Sequence, residues 1–186
     1  MIVNRFWAMA NRWTFQIKPI KDLLDKYVGN GKGWIDPFAG MSTLAEFTND
    51  LNPQMPSTFH LDALEFLGHL EGQYKGILFD PPYSYRQMKE CYAAIGMGRI
   101  TARHATNFYG DLRAEIQDKI MLGGFAISFG WNSIGMGKTH GFEIIEILLV
   151  CHGGAHNDTI VTVDRKVTSR MGVNAVVRST EGNIGS

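Results

Sequence analysis

The sequence contains little cysteine, no excess of either charge and no long apolar run. Its two cysteines, Cys91 and Cys151, lie far apart without a CxxC pair, which excludes a disulfide framework or zinc ribbon and predicts no metal site. Formal net charge is zero, so bulk charge cannot coat nucleic acid and any such contact must be local. No apolar run approaches the roughly 18 residues of a membrane span. Residues 1–13 lack the apolar core of a signal peptide. We therefore expect a cytoplasmic protein without a membrane partner.

Length and composition indicate one globular domain. The chain has 186 residues, of which 45% are hydrophobic and 19% charged, as is ordinary for a domain with a sizeable core. We assign this domain to residues 1–167. Residues 168–186 contain glycine and serine without a clear period, so they are predicted to form a poorly ordered tail.

Short apolar runs between turn residues predict a mostly parallel α/β sheet. Strands are predicted at 34–36, 46–50, 58–62, 76–80, 123–131, 142–150 and 158–167. The last two flank the turn sequence HGGAHN and should form an antiparallel hairpin. Apolar residues at helical spacing predict helices at 19–27, 64–67 and 111–122. Residues 84–110, which include Gly96, Gly98 and Gly110, are predicted to be rich in loops.

Acidic residues stand at the ends of several predicted strands. They are Asp36, Asp50, Asp62 and Asp80. In open α/β sheets, ligands bind at the carboxyl ends of the strands. We therefore expect these four carboxylates to lie along one edge of the sheet and to mark a binding site.

The strongest single motif is the segment Asp80–Tyr83, which reads DPPY after a buried strand. Consecutive prolines have a fixed φ and no N–H, so they place backbone carbonyls at a rigid bend. An amine held between the Asp80 carboxylate and the Pro81 carbonyl would point its lone pair at an electrophile. Tyr83 offers a ring on which a flipped base could stack. A plain strand-to-turn segment with a core tyrosine is the alternative. Trp131 is either a wall of this site or a core residue.

Three weaker motifs precede DPPY. The turn Asp36–Gly40 lets backbone approach a ligand closely, and Phe38 could lie against an adenine ring or a methionine chain. Asp50, in the segment NDLNP, suits hydrogen bonding to ribose hydroxyls, although an Asx-rich turn explains it equally. Asp62, followed by Ala63, either caps a helix or accepts from a cofactor amino group.

The order DPFAG, NDLNP, DALEFL, ILFDPPY resembles the S-adenosylmethionine-dependent amino-methyltransferases of nucleic acids, especially the DNA adenine-N6 class. The aromatic and basic segment 13–19 is similar to the N-terminal cofactor segment of that family, and the final hairpin to its reversed last strand. The resemblance spans roughly residues 6–167 and implies a Rossmann-like class I methyltransferase sheet, mostly parallel with a C-terminal antiparallel hairpin. It implies a site-specific, adenine-specific DNA methyltransferase.

The resemblance also implies the roles of individual residues. S-adenosylmethionine is the implied cofactor, and the catalytic motif is formed by Asp80, Pro81, Pro82 and Tyr83. The implied cofactor contacts are Phe15, Lys18, Asp36, Pro37, Phe38, Ala39, Gly40, Asp50, Leu51, Asn52, Asp62 and Ala63.

Two departures from the family pattern concern binding. Only residues 41–45 separate Gly40 from the second predicted strand, so the usual first helix is almost missing and a more open cofactor pocket is expected. Within these 186 residues we expect no separate target-recognition domain. Segment 84–110 is the candidate for target contact because it has an excess of positive charge just after DPPY. The candidate nucleic-acid contacts are Arg86, Lys89, Arg99 and Arg103.

Other functions remain open at this point. One is an RNA methyltransferase that acts on adenine N6 or guanine N2 in rRNA. Another is a catalytically inactive subunit that binds cofactor or nucleic acid, and a third is an α/β interaction domain with coincidental motifs. The expected partner is nucleic acid, most readily DNA, with a homodimer or a partner subunit as the expected assembly.

Overall fold

The computed structural model describes residues 1–96, 102–154 and 156–168, and for residues 102–106 only the backbone. In these described residues, seven strands and four α-helices follow in chain order. The strands are β1 (Ile2–Trp7), β2 (Trp34–Asp36), β3 (Phe47–Thr48), β4 (Tyr74–Phe79), β5 (Ile120–Gly130), β6 (Phe142–Cys151) and β7 (Thr159–Lys166). The helices are α1 (Lys18–Tyr27), α2 (Ala63–His69), α3 (Tyr85–Ala94) and α4 (Ala102–Lys119).

The strands form one sheet in the order β1-β6-β7-β5-β4-β2-β3. All neighbouring pairs are parallel except those of β7, which is antiparallel to both β5 and β6. The predicted mostly parallel sheet with a C-terminal antiparallel hairpin is therefore confirmed. The predicted strand at 58–62 is reduced to a single parallel bridge between Asn49 and Phe59.

Helices cover both faces of the sheet. On one face, α1 contains Pro19 in its first turn and buries Ile20, Leu23 and Leu24. On the other face α2 and α4 pack against β2, β4 and β5. Each fully buried leucine or isoleucine stabilises the fold by roughly 1.5–3 kcal/mol relative to an exposed one, and these helices therefore hold the sheet from two sides.

The expectation of a loop-rich segment at 84–110 is wrong for the described residues. Most of it is helical: α3 begins after Ser84, whose hydroxyl accepts from the Gln87 N–H at 3.2 Å. The apolar residues of the segment bury against the core, among them Met88 and Phe108, and this burial outweighs the glycines that suggested loops. The positive φ of Gly96, 72°, ends α3.

Segment 37–46, between β2 and β3, contains no helix, as expected from its length. β1 was not anticipated, and it lies at the far edge of the sheet beside β6. Within the predicted tail, the Thr168 N–H donates to the Gly141 carbonyl at 3.3 Å, and residues 169–186 lie outside the described residues. None of the helices in the described part of the chain is long and apolar enough to span a membrane.

Asp164, on β7, is fully buried beneath Gly135. Its Oδ1 accepts from the Met136 N–H at 3.3 Å, and a Cβ at position 135 would approach its Oδ2 to 2.5 Å. Burial raises the pKa of Asp164 to about 6, and the Met136 N–H opposes this rise. A carboxyl that keeps its proton in the fold and loses it on unfolding makes stability depend on pH.

We expect Asp164→Asn to become increasingly stabilising, relative to the natural chain, as pH rises from 4 to 7. The folded carboxyl binds a proton up to about pH 6 while the unfolded one loses it near 4, so its stabilising contribution is lost as pH rises through 6. At pH 7 the gain should be on the order of 1–2 kcal/mol. Thermal unfolding of both proteins across this range measures it, and comparing the pair cancels His140, whose lowered pKa acts in the opposite direction. A constant difference across pH would contradict the prediction.

Candidate active site

The carboxyl ends of β2, β3 and β4 lie side by side because these strands are neighbours in the sheet. The acids after them are near one another: the charges of Asp80 and Asp50 both raise the pKa of Asp36, after burial, which is the larger cause. Three cavities open along this edge. Asp80 lines the first and the third, Asp50 the second and the third, and Asp62 the second.

The first cavity, called here the large cavity, has a volume of about 630 Å³. It lies between a 3₁₀ turn, Thr14–Gln16, and the glycine turn after β2, and Asp80 forms part of its floor. Its size is in the range of small-molecule and cofactor sites. Its main lining residues are Trp13, Thr14, Phe15, Phe38, Ala39, Gly40, Met41 and Asp80. The loop that replaces the first helix forms its outer wall.

The glycine turn is held together by two carboxylates. Asp36 is fully buried, and its Oδ1 accepts from the Phe38 N–H at 3.1 Å. Gly40 has a φ of 52°, and its N–H donates to Asp50 Oδ2 at 2.9 Å. Asp36 lines none of the three cavities, and its bond to the Phe38 N–H supports the turn from within the fold.

Asp50 and Asp62 each make the structural hydrogen bond that the sequence offered as an alternative to ligand binding. Asp50 Oδ1 accepts from the Asn52 N–H at 2.8 Å, which is the Asx turn. Asp62 Oδ1 accepts from the Leu64 N–H at 3.0 Å, which is the helix cap, and its Oδ2 accepts from the Tyr92 hydroxyl at 2.6 Å. A carboxylate has about four acceptor positions, so each retains capacity for a ligand.

Most of the predicted cofactor residues reach a cavity, and two more besides Asp36 do not. Pro37, Leu51 and Ala63 line the second cavity, of about 90 Å³, between the glycine turn and α3. Lys18 is exposed and pairs with Asp22 at 2.8 Å, away from all three cavities. Asn52 accepts from the Gln54 N–H in its own loop. The resemblance suggested these two residues, but the Lys18 side chain is exposed and Asn52 bonds within its own loop.

DPPY lies between the large cavity and the third, called here the mouth, which has a volume of about 520 Å³. Asp80 Oδ1 accepts from the Tyr83 hydroxyl at 2.5 Å. Burial raises the pKa of Asp80 to about 6, while hydrogen bonds from Tyr83 and Thr14 oppose the rise. Burial and the Asp80 charge raise the pKa of Tyr83, which therefore stays a neutral donor. Asp80 is thus an acceptor whose charge is controlled by its neighbours.

The remaining groups of DPPY are fixed by residues of α3 and α4. The Tyr83 N–H donates to Gln87 Oε1 at 2.6 Å, and the Tyr109 hydroxyl donates to the Pro82 carbonyl. The Tyr83 ring meets the Trp131 ring edge-on, with centroids 5.5 Å apart. The Pro82 carbonyl is therefore occupied, and the Pro81 carbonyl is the backbone acceptor of the motif that these contacts leave to a ligand.

The candidate nucleic-acid contacts are only partly described. Arg86 and Lys89 both lie on α3 near the mouth. Arg86 pairs with Glu90 at 2.8 Å, and the Lys89 ammonium lies over the Tyr85 ring at 4.4 Å. Arg99 and the side chain of Arg103 lie outside the described residues. No group of His, Cys, Asp and Glu in the described ranges could hold a metal ion.

Sequence analysis missed several residues of this site. Thr14 is the clearest case, since it lines the large cavity and hydrogen-bonds to Asp80. Gln87 and Tyr92, both on α3, contact Tyr83 and Asp62. The two residues are five positions apart in a segment that was predicted to be rich in loops, so no motif pointed to them. The neighbour of Thr14, Phe15, was found only through the resemblance.

No family model matches the chain, and no curated protein matches it. Several solved structures are similar to the chain. TrmN from Thermus thermophilus has a TM-score of 0.54 and 17% identity, and the match covers 82% of this chain and 49% of that one. The 1,6-didemethyltoxoflavin-N1-methyltransferase of Burkholderia thailandensis, crystallised with 1,6-didemethyltoxoflavin and S-adenosylhomocysteine, has a TM-score of 0.54 and 14% identity, covering 81% and 78%.

These similarities define the class of fold. The chain has the Rossmann-like class I methyltransferase fold, which confirms the architecture expected from the motifs. It spans about half the length of the Thermus protein. At such identities the match speaks for the fold alone, and the chemistry has to be argued from the site.

Proposed function

We propose that the protein transfers a methyl group from S-adenosylmethionine to the exocyclic N6 amine of adenine in DNA. The observation that carries this proposal is the position of DPPY. Asp80 lines both the large cavity and the mouth, so one carboxylate faces a cofactor-sized space and an open entrance at once. An amine that enters by the mouth would meet two acceptors there, Asp80 and the Pro81 carbonyl.

The residues of the large cavity fit S-adenosylmethionine. Phe15 and Phe38 provide apolar surface for the methionine chain and the adenine ring. Asp50 lines the second cavity and the mouth and bonds to Gly40 of the large cavity, so it would provide acceptors for the ribose hydroxyls. Asp62, in the second cavity, would provide an acceptor for an adenine amino group. The Burkholderia neighbour of the same fold holds S-adenosylhomocysteine. When bound, the cofactor supplies a methyl group that is already electrophilic.

The chain then has to position the amine and stabilise its developing charge. Hydrogen bonds to Asp80 and Pro81 favour a more tetrahedral nitrogen with its lone pair toward the large cavity. With the cofactor bound, methyl transfer to the amine would place positive charge on the nitrogen, and the Asp80 carboxylate beside it would stabilise that charge. The surplus proton leaves the product ammonium, with Asp80 as its nearest acceptor.

The decisive experiment is a methylation assay with radiolabelled S-adenosylmethionine, in which DNA and RNA are offered in parallel. Product nucleosides are identified by mass spectrometry. N6-methyladenine in DNA is the expected product. Label in RNA alone would move the proposal to an RNA base amine, and absence of label from both would favour a catalytically inactive binding subunit.

We expect Tyr83→Phe to move the acid limb of the pH–rate profile to higher pH. Asp80 must be ionised to accept from the amine, so kcat/KM should fall below about pH 6 in the natural protein. Removing the Tyr83 hydroxyl removes a hydrogen bond that lowers the Asp80 pKa, and the limb shifts upward. Profiles from pH 5 to 8 measure it.

Tyr92→Phe is the matched control, because its hydroxyl donates to Asp62 instead. The control should leave the acid limb in place. If the acid limb of kcat/KM lies at the same pH in all three proteins, the assignment of this titration to Asp80 is contradicted.

A further inference from the structure

A fourth cavity, of about 280 Å³, lies on the other side of DPPY, between the end of β5 and α4. It shares Pro81 and Tyr83 with the mouth and no residue with the large cavity. We call it the inner cavity. Its volume is close to the lower limit of about 300 Å³ for small-molecule sites, which suits one aromatic ring system better than a whole cofactor. Its aromatic lining consists of Phe79, Tyr83, Tyr109, Phe129 and Trp131.

Polar atoms without partners are concentrated in this cavity. Ser128 and Thr162 are paired across β5 and β7, and their side chains are 9% and 1% exposed. The Ser128 hydroxyl makes no hydrogen bond, and Nε of Arg113 on α4 makes none either. The Thr162 hydroxyl has no partner at normal hydrogen-bond geometry, but it lies near enough to the Asp164 carboxyl to lower the pKa of that group. Buried polar groups are nearly always satisfied in folded proteins. Among the described residues only six such buried side-chain atoms occur, and three of them line this one cavity.

The arrangement specifies the chemistry of an occupant. Aromatic walls suit a flat ring, and the hydroxyls of Ser128 and Thr162 can each donate or accept at its edge. Arg113 can only donate, so the ring must carry at least one acceptor. A single guanidinium among aromatic rings is a poor site for a phosphate group, which takes several donors. A nucleobase meets all of these conditions.

We propose that the inner cavity receives the base whose amine is methylated, and that Ser128, Thr162 and Arg113 recognise its polar edge. This rests on the proposed function, and it assigns substrate recognition to residues of β5, β7 and α4. Pro81 lies at the boundary between the inner cavity and the mouth, so the amine of a base seated there can face the Pro81 carbonyl and Asp80. Trp131, at the rim, closes over the ring.

The test is direct binding of adenosine without cofactor or nucleic acid. The indole N–H resonance of Trp131, assigned with Trp131→Phe, is followed by NMR while adenosine is titrated. We expect a saturable shift in the natural protein. In the double variant Ser128→Ala, Thr162→Val the affinity should fall by about tenfold or more, because the edge of the base loses its partners. Ser133→Ala, an exposed serine in the adjoining loop, should bind as the natural protein does.

The unfolding temperature distinguishes recognition of the base from a purely structural role of the buried hydroxyl. The Ser128 hydroxyl lacks a partner in the free protein and so costs the fold free energy, whereas the Thr162 hydroxyl also lies beside Asp164. The single variant Ser128→Ala should therefore unfold at an equal or higher temperature than the natural protein. Weaker binding together with unchanged or raised stability supports the proposal. No saturable shift in the natural protein, equal affinity in both proteins, or a lowered unfolding temperature of Ser128→Ala would overturn it and leave a water-filled cavity.

The outcome is independent of catalysis. A protein that binds adenosine through Ser128 and Thr162 but methylates nothing would refute the proposed function alone. If the double variant methylates DNA with the same KM as the natural protein, only the assignment of the inner cavity as the base site is refuted.

Discussion

Replacing Asp80 with asparagine is expected to lower kcat by about 10²–10³-fold or more while leaving cofactor affinity within about twofold. The neutral amide keeps one oxygen for the Tyr83 hydroxyl and so preserves the local hydrogen bond. It loses the negative charge that, in the proposed function, would stabilise the methylated nitrogen, and its NH₂ group would oppose an incoming amine. Single-turnover rates and calorimetric titration with S-adenosylhomocysteine measure the two effects separately.

The same substitution should stabilise the fold. At neutral pH the natural protein holds an ionised carboxylate in a site that raises its pKa to about 6. Asparagine removes that cost, on the order of 1–2 kcal/mol after allowance for partial exposure, so the unfolding temperature should rise by a few degrees. Asp111→Asn, on the exposed surface of α4, is the control and should change neither rate nor stability. A fully active Asp80→Asn protein would refute the catalytic assignment.

Loss of activity with a gain in stability also separates two interpretations of DPPY. A plain strand-to-turn segment has no reason to keep an ionisable group where burial disfavours its charge. Asp164 is a second carboxyl whose charge is disfavoured by burial, and its pKa is also raised to about 6. Asp80 differs because it lines two cavities that open to solvent.

The parallel strands could be predicted from sequence because each is a short apolar run that ends in a turn. β4 from Gly76 and β5 from Gly124 onward are largely buried on both faces, so they show an apolar run without alternation. β1 could not be predicted in this way. Both of its faces are largely exposed, including Phe6 and Trp7, so its residues carry neither an apolar run nor an alternation.

The site was predictable to the extent that strand ends determine it. Asp80 and Asp50 follow strands, and both line cavities at the carboxyl edge of the sheet. The residues that complete the site come from elements that the sequence describes poorly: Thr14 from a 3₁₀ turn, Gln87 from α3 and Tyr109 from α4. Ser128 and Thr162 look like ordinary strand residues, and only the β5–β7 pairing brings them together.

The largest expected effect on binding comes from Asp50→Ala, which should weaken S-adenosylmethionine binding by about 10- to 100-fold. In the proposed function, Asp50 would have two roles at once. It accepts from the Gly40 N–H and so holds the glycine turn in shape, and it has acceptor positions left for the ribose. Alanine removes both, whereas Asp50→Asn keeps one neutral acceptor and should give an intermediate affinity. Calorimetry on all three proteins ranks them.

The order of these affinities distinguishes the two roles of Asp50. If only the shape of the turn matters, Asp50→Asn should bind almost as tightly as the natural protein, because its amide oxygen can still accept from Gly40. If the charged acceptors also hold the ribose, asparagine falls clearly below the natural protein. Glu143→Ala, an exposed acid on β6, controls for the loss of a negative charge. Unchanged affinity in Asp50→Ala would remove Asp50 from the cofactor site and leave the Asx turn as its whole function.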